Sequence, residues 1–284
     1  MKGVIVKLVA GTYTVYTDSG EYVSCKARGV FRNRGMTPLV GDKVIVEKGL
    51  IIDILPRKNR LARPPVSNID MLVIIIAATM PKPDLLMVDK LIVEAKCAGM
   101  DVTLCINKCD LSSQNAQMLA QEYANTGVGV LIISAKDHIG IQELKDKLKG
   151  KTACFAGQSA AGKSSTINAL YPGLGLVTGE LSKRVERGKH TTRHCEIFIT
   201  EDSKVIDTPG FSLIAVSEIP PCELADYYDE MRLCPGCRFT GCIHKDEPGC
   251  AVKEQLGKTI NSNRYARYLE ILEELQEAER NKYD

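Results

Sequence analysis

The amino-acid sequence predicts a multidomain α/β protein. A small N-terminal β-barrel comes first, then a mostly parallel sheet with helices on both faces, then a short, mainly α segment stapled by a metal. Three observations carry that expectation. Five β-prone runs crowd the first 56 residues, strand-like and helix-like segments alternate from there to about residue 218, and three cysteines and a histidine cluster between positions 237 and 250.

The five runs are GVIVKLVAG, TYTVYTD, EYVSCKAR, DKVIVEKG and LIIDILP, punctuated by Gly, Asp and Ser. So many strands in so short a stretch make a small barrel. A basic loop, GVFRNRGMTPLVG (29–41), falls between the third and fourth, where an OB-fold carries its interruption; an SH3-like barrel has a similar strand count and remains an alternative. Residues 1–60 hold eleven Lys/Arg against five Asp/Glu, an excess of six positive charges, whereas the whole chain carries +2 and the remainder therefore −4. A basic module on a mildly acidic body suggests a polyanionic partner. The stretch LPRKNRLARPPVSNID has charges, prolines and no periodicity, reads as a linker, and ends the first domain (1–62).

The pattern then changes. IDMLVIIIAAT is a buried strand, residues 84–99 have helical apolar spacing, DVTLCIN is a strand and residues 113–126 a helix. VGVLIIS, a helix over 139–149 and the strand KTACFAG follow. Continuous apolar strands between helices indicate a parallel sheet covered on both faces, here assigned to residues 63–218. With 44% hydrophobic residues the chain can fill real cores. Its longest apolar run, MLVIIIAATM, is strand-sized, and MKGVIVKLVAGTY lacks the core and cleavage site of a signal peptide. No membrane and a cytoplasmic location are expected. Eleven cysteines, several within predicted strands (Cys105, Cys154, Cys195), read as reduced thiols.

KTACFAG runs straight into GQSAAGKSS: Gly157, Gln158, Ser159, Ala160, Ala161, Gly162, Lys163, Ser164 and Ser165. Strand, G-x-x-x-x-G-K-S and helix in that order make a phosphate-binding loop. Its backbone N–H groups curl round phosphates, Lys163 reaches the β/γ oxygens in a catalytic role, and the Ser164 hydroxyl is placed for Mg²⁺. VIDTPG (205–210) closes a second β-prone pair, so Asp207 sits at a strand end, suited to a Mg²⁺-associated carboxylate, and Gly210 can offer an N–H to the γ-phosphate. The pair implies a nucleotide triphosphatase.

INKCD then gains meaning. The Asp110 carboxylate presents two acceptors that match the ring N–H and exocyclic amine of guanine, and adenine has no such donor pair on that edge. Asn107 can tie the base loop to the phosphate loop, and the Lys108 stem can lie across the ring. ISAK, at the end of the next strand, supplies Ser134, Ala135 and Lys136, with the Ala135 N–H facing the guanine O6. Between the phosphate loop and DTPG, SKRVERGKHTTRHC is basic. Thr192, preferred over Thr191, can add a hydroxyl to Mg²⁺ while γ-phosphate is present and release it afterwards. Phe211 follows DTPG and cannot orient water, so His190 is the candidate for that task; packing or an RNA contact is its other reading.

From residue 219 the chain is turn-rich and poor in core. Cys237, Cys242, His244 and Cys250 stand as C-x4-C-x-H-x5-C, three thiolates and an imidazole that suit one tetrahedral, structural Zn²⁺. Cys234 forms a competing C-x2-C with Cys237.

The order NKCD, SAK, GQSAAGKS, TT, DTPG, flanked by a barrel and a Cys/His cluster, resembles the ribosome small subunit-dependent GTPase A family (RsgA or YjeQ), whose P-loop GTPase domain is circularly permuted. The resemblance spans essentially the whole chain, including GVFRNRGMTPLVGDKV, RGKHTTR and CRFTGCIHKDEPGCAV. It implies a GTPase that binds the small ribosomal subunit and its 16S rRNA through an OB-fold domain (1–62) and a zinc-binding domain (219–284). It also implies action late in small-subunit maturation, with hydrolysis stimulated by the subunit and coupled to release; separately, a monomer is expected. GTP/GDP, Mg²⁺ and one Zn²⁺ are the expected cofactors. Two other classes stay in view: an RNA-binding scaffold with a vestigial guanine site, favoured by Phe211, and an ATPase or small-molecule kinase. The family often has Gly where Ala160 stands, so Ala160 is expected to fit only with a negative φ.

Overall fold

A computed structural model of the chain describes residues 1–29, 31, 36–61, 64–176, 195–207 and 219–281. Strands β1 (Lys2–Val9), β2 (Thr12–Thr17), β3 (Tyr22–Ala27), β4 (Lys43–Glu47) and β5 (Leu50–Ile54) close into a barrel in the order 1-2-3-5-4-1. The β3–β5 pair is parallel and the rest antiparallel, the order of an OB barrel; the SH3-like alternative falls away. A register shift between Ile5 and Lys7 lets Ile5 and Val6 both turn inward, onto Val15, Val44 and Ile51.

The connector is more ordered than a plain linker. β6 (Arg60–Leu61) pairs with β7 (Val66–Ser67), and both ends are anchored. The buried Asp42 carboxylate accepts from Arg57 Nε (2.7 Å) and Nη2 (2.8 Å), Ser67 Oγ (2.6 Å) and Leu39 N–H (2.7 Å). A buried carboxylate needs such partners, and these tie the connector to the barrel. Composition alone hid this, because the anchoring partner lies in the β3–β4 connection.

The main sheet runs β10-β9-β8-β11-β13-β12. Its strands are β8 (Met71–Ala77), β9 (Asp101–Asn107), β10 (Gly129–Ile132), β11 (Thr152–Ala156), β12 (Glu196–Ile199) and β13 (Lys204–Asp207), all parallel except β12. All seven residues of β8 are buried, as a strand covered on both faces requires. On one face lie α1 (Leu85–Cys97) and α2 (Ser113–Glu122), and on the other α3 (Ile141–Leu148) and α4 (Lys163–Leu170). At the edge β12 pairs with β1 (Lys7↔Glu196), reinforced by a 2.7 Å ion pair between the same two side chains, so barrel and sheet are continuous.

After residue 219 come a 3-10 turn (Pro221–Tyr227), α5 (Asp229–Arg232), α6 (Ala251–Glu254) and α7 (Ser262–Arg280). Their core, built on Leu224, Tyr228, Tyr268 and Ile271, also takes in Val93 of α1. A segment short of apolar residues thus borrows a wall from the sheet's own helix. Among the described residues no helix is long and apolar enough to cross a membrane.

Candidate nucleotide site and metal centre

The carboxyl ends of β11, β9, β10 and β13 bring the sequence-predicted residues together. After β11 the backbone must turn sharply into α4. Gly157 (φ 135°) and Gly162 (φ 100°) make that turn where a Cβ would lie 2.0 Å from Ile75 O and 2.3 Å from Asn107 Nδ2. Gly162 is also the N-cap of α4, leaving the first-turn N–H groups directed out of the loop end of the helix.

Ala160 corrects its expectation. Its φ is +62°, the left-handed region, not a negative value. The loop's curvature demands it, and neighbours hold it there: Lys108 Nζ donates to Ala160 O at 2.8 Å and to Met80 O at 2.7 Å, and Asn107 Nδ2 donates to Ala161 O at 2.9 Å. An L-residue in that region costs about 1–2 kcal/mol, partly offset by the lower entropy of its unfolded chain. Ala160→Gly is therefore expected to stabilise the protein by about 1 kcal/mol, read as a higher denaturant midpoint; an unchanged or lower midpoint would contradict the strain.

Asn107, buried at the end of β9, links three loops. Its amide holds Ala161 O, while its oxygen accepts the Ala135 N–H at 3.0 Å. Ser134, also buried, donates to Asp110 Oδ1 at 2.8 Å and accepts the Asp137 N–H at 3.1 Å, which orients the exposed Asp110 carboxylate. Lys136 is exposed beside them, as are Ser159 and Ser165, and Ser164 is half-buried in the first turn of α4. Gln158 accepts the Asp84 N–H (3.0 Å) and donates to Lys82 O (3.3 Å).

Lys163 Nζ donates to Gly157 O at 2.9 Å. Burial pushes its ammonium below the ordinary lysine value, and the charge of Asp207 works against that fall. Asp207 ends β13 level with Phe155 of β11, so a carboxylate and the loop lysine face the same space. A half-desolvated ammonium there favours a polyanion. Thr192, His190, Gly210 and Phe211 lie outside the described residues.

The Cys/His cluster forms a second site. The ligand atoms of Cys237, Cys242, His244 and Cys250 all lie within 4.8 Å of one another. His244 Nδ1 is 3.6, 3.4 and 3.4 Å from the sulfurs of Cys237, Cys242 and Cys250, and Cys237 Sγ is 4.0 Å from Cys250 Sγ. A tetrahedral Zn²⁺, with bonds of about 2.3 Å to sulfur and about 2.05 Å to nitrogen, separates S from N by about 3.6 Å and S from S by about 3.8 Å. The donor set fits that ion. Burial lowers the His244 pKa, favouring the neutral ring a metal needs. The Ala251 N–H donates to Cys237 Sγ (3.3 Å), and Tyr265 and Tyr268 of α7 donate to His244 O (2.6 Å) and Ile243 O (2.7 Å). Cys234 stands apart, its thiol directed to Glu230 O at 3.4 Å, which answers the competing C-x2-C.

Sequence reasoning missed the residues that join the phosphate loop and the C-terminal segment to their neighbours. Gln158 was read only as a loop member, and Asp89, Glu230, Arg264 and Arg267 were not singled out. An acid inside the apolar helix LLMVDKLIVEAKC was the one available signal.

A parallel sheet in which the phosphate-loop strand is central in space but fourth in chain order, with the base-loop strands ahead of it, defines a circularly permuted P-loop nucleotide hydrolase. Comparison with known proteins gives the particular family. Residues 54–217 match the model of the RsgA GTPase and residues 2–49 that of the RsgA N-terminal domain. The small ribosomal subunit biogenesis GTPase RsgA of Ruminiclostridium cellulolyticum is 41% identical over 97% of this chain and 94% of its own. That of Bacillus subtilis is 36% identical over 97% and 98%. YjeQ from Thermotoga maritima superposes with a TM-score of 0.83 at 33% identity, covering 97% of this chain and 98% of its own. YloQ, a circularly permuted GTPase, does so at 0.79 and 32%, covering 97% and 95%. The chain belongs to the RsgA GTPase family and is a GTP hydrolase.

Proposed function

We propose that this GTPase acts in late maturation of the small ribosomal subunit, binding the subunit and its 16S rRNA as a cytoplasmic monomer and leaving when GTP is hydrolysed. The names of its relatives, small ribosomal subunit biogenesis GTPases, support the pathway. The excess of six positive charges in residues 1–60 supports an RNA-facing barrel. Three functional parts serve these roles: residues 1–62 on RNA, 63–218 on nucleotide, and 219–284 as a zinc-held platform.

In the nucleotide site Asp110 selects guanine, with Ala135 on its carbonyl, Lys136 beside it and Lys108 along its face. Residues 157–165 hold the phosphates, Lys163 stabilises charge in the transition state, and Ser164, Asp207 and Thr192 would hold Mg²⁺, which would supply positive charge against the phosphates. His190 orients water and Gly210 meets the γ-phosphate. Asn107 carries the guanine reading, because one carboxamide joins the base loops to the phosphate loop.

Turnover with and without purified small subunits tests the proposal. Subunits are expected to raise GTP hydrolysis at least about tenfold, and excess ATP is expected not to displace labelled GTP. A rate that stays intrinsic would leave the scaffold reading in its place; equal displacement by ATP would sink the role of Asp110.

A further inference from the structure

Helix α1 is a wall shared by two cores. Val88, Leu91, Ile92 and Ala95 pack on the sheet, whereas Val93 belongs to the C-terminal core with Tyr228, Met231 and Tyr268. On the same helix sits Asp89, fully buried. A carboxylate there is held only by partners, and it has three. Tyr123 Oη donates at 3.0 Å, Arg267 Nε at 2.5 Å, and Arg264 Nη1 also donates. Both arginines come from α7, and each holds a second acid: Arg264 binds Glu230, and Arg267 binds Glu122 at 2.7 Å. The Arg264 guanidinium lies 4.6 Å from the Tyr228 ring centre and 5.2 Å from that of Tyr123. Two further ion pairs, Lys90 to Glu274 (2.6 Å) and Lys96 to Asp229 (3.0 Å), join the same helix to α7 and α5.

The other end of α1 meets the phosphate loop. Asp84 caps the helix by accepting the Met87 N–H at 3.0 Å, while its own N–H donates to Gln158 Oε1. The Gln158 amide returns to Lys82 O, and Lys108 bridges Met80 O and Ala160 O. The loop that curls round phosphates is therefore hydrogen-bonded to the lead-in of a helix whose middle is bolted to α7.

We propose that Gln158 is a positioning residue, and that α1 is the rigid link through which the zinc-bearing C-terminal segment sets the phosphate loop. This rests on the nucleotide reading given above. Both arginines of α7 share the one buried carboxylate of Asp89, and moving α7 away would strand that charge without partners, so a displacement of α7 carries α1 with it. An α-helix transmits it along its axis, and it emerges at Asp84 and Gln158. Whatever engages the C-terminal segment then alters nucleotide affinity, and by linkage nucleotide alters the segment by the same factor.

A double-mutant cycle in the full-length, zinc-loaded chain tests the proposal, with fluorescent GDP as the probe. Gln158 and Arg267 have no contact partner in common, and unconnected sites add. Arg267→Gln is expected to weaken GDP binding about 5–10-fold in the otherwise native chain and less than about twofold in the Gln158→Ala background. Additive losses would overturn the link. Absence of GDP binding by the native chain would instead remove the nucleotide reading itself. Should Arg267→Gln fail to fold, hydrogen exchange of the native chain decides: GDP is expected to slow the amides of residues 264–268, and unchanged exchange there overturns the proposal.

Discussion

Lys163→Ala is expected to slow GTP hydrolysis about 10²–10³-fold, with or without small subunits, the loss typical of removing one preorganised donor aimed at developing charge. The ammonium is held in a partly buried pocket by Gly157 O, and burial already lowers its pKa. A phosphate oxygen is a stronger acceptor than that carbonyl, because the bond is then charge-assisted on both sides. The effect should fall on the chemical step more than on GDP affinity, since charge on the phosphoryl group grows toward the transition state. Single-turnover hydrolysis beside equilibrium GDP binding separates the two. A rate within about threefold of the native chain would remove Lys163 from the chemistry.

Cys242→Ser is expected to release the zinc, about one per chain, and with it the fold of the C-terminal segment. Structural sites in small modules contribute about 10–16 kcal/mol of apparent binding energy at neutral pH, far more than one side chain's packing. The loop from Cys237 to Cys250 is positioned by its ligands and by two tyrosines of α7 that bond its carbonyls. Freed from the ion, those acceptors lose their place and the tyrosines lose theirs. Metal analysis and far-UV ellipticity would record the change, the latter as lost helix in the 19-residue α7. A metal-free protein with native ellipticity would refute the structural role. Removal by chelator should have the same effect and reverse on adding Zn²⁺.

Both sites were legible because their chemistry is local in sequence. GQSAAGKS, NKCD and SAK each lie on one strand end, and Cys237 to Cys250 span one loop system, so spacing narrows the candidate donors, and the fold sets Cys234 apart from the other three cysteines. The barrel was legible because its strands are consecutive. Ala160 was misjudged because the φ of a loop residue answers to neighbours distant in sequence, here Lys108, Asn107 and Met80. The connector was read as a linker because its anchor, Asp42, lies fifteen residues before Arg57.

The sequence by itself determined the elements and the candidate donors: five barrel strands, an alternating β/α body, a G-x-x-x-x-G-K-S loop, an NKCD loop and a Cys/His set suited to a metal. Each depends on periodicity or on short-range spacing, which the chain carries without folding. Only the tertiary structure decided how they are joined. The placement of β11 between β8 and β13, the pairing of β12 with β1, and the meeting of Asp89 with Arg264 across 175 positions all depend on long-range pairing. The sequence does not name the partners of such contacts, because a buried ion or a strand edge has a partner only once the cores around it have closed.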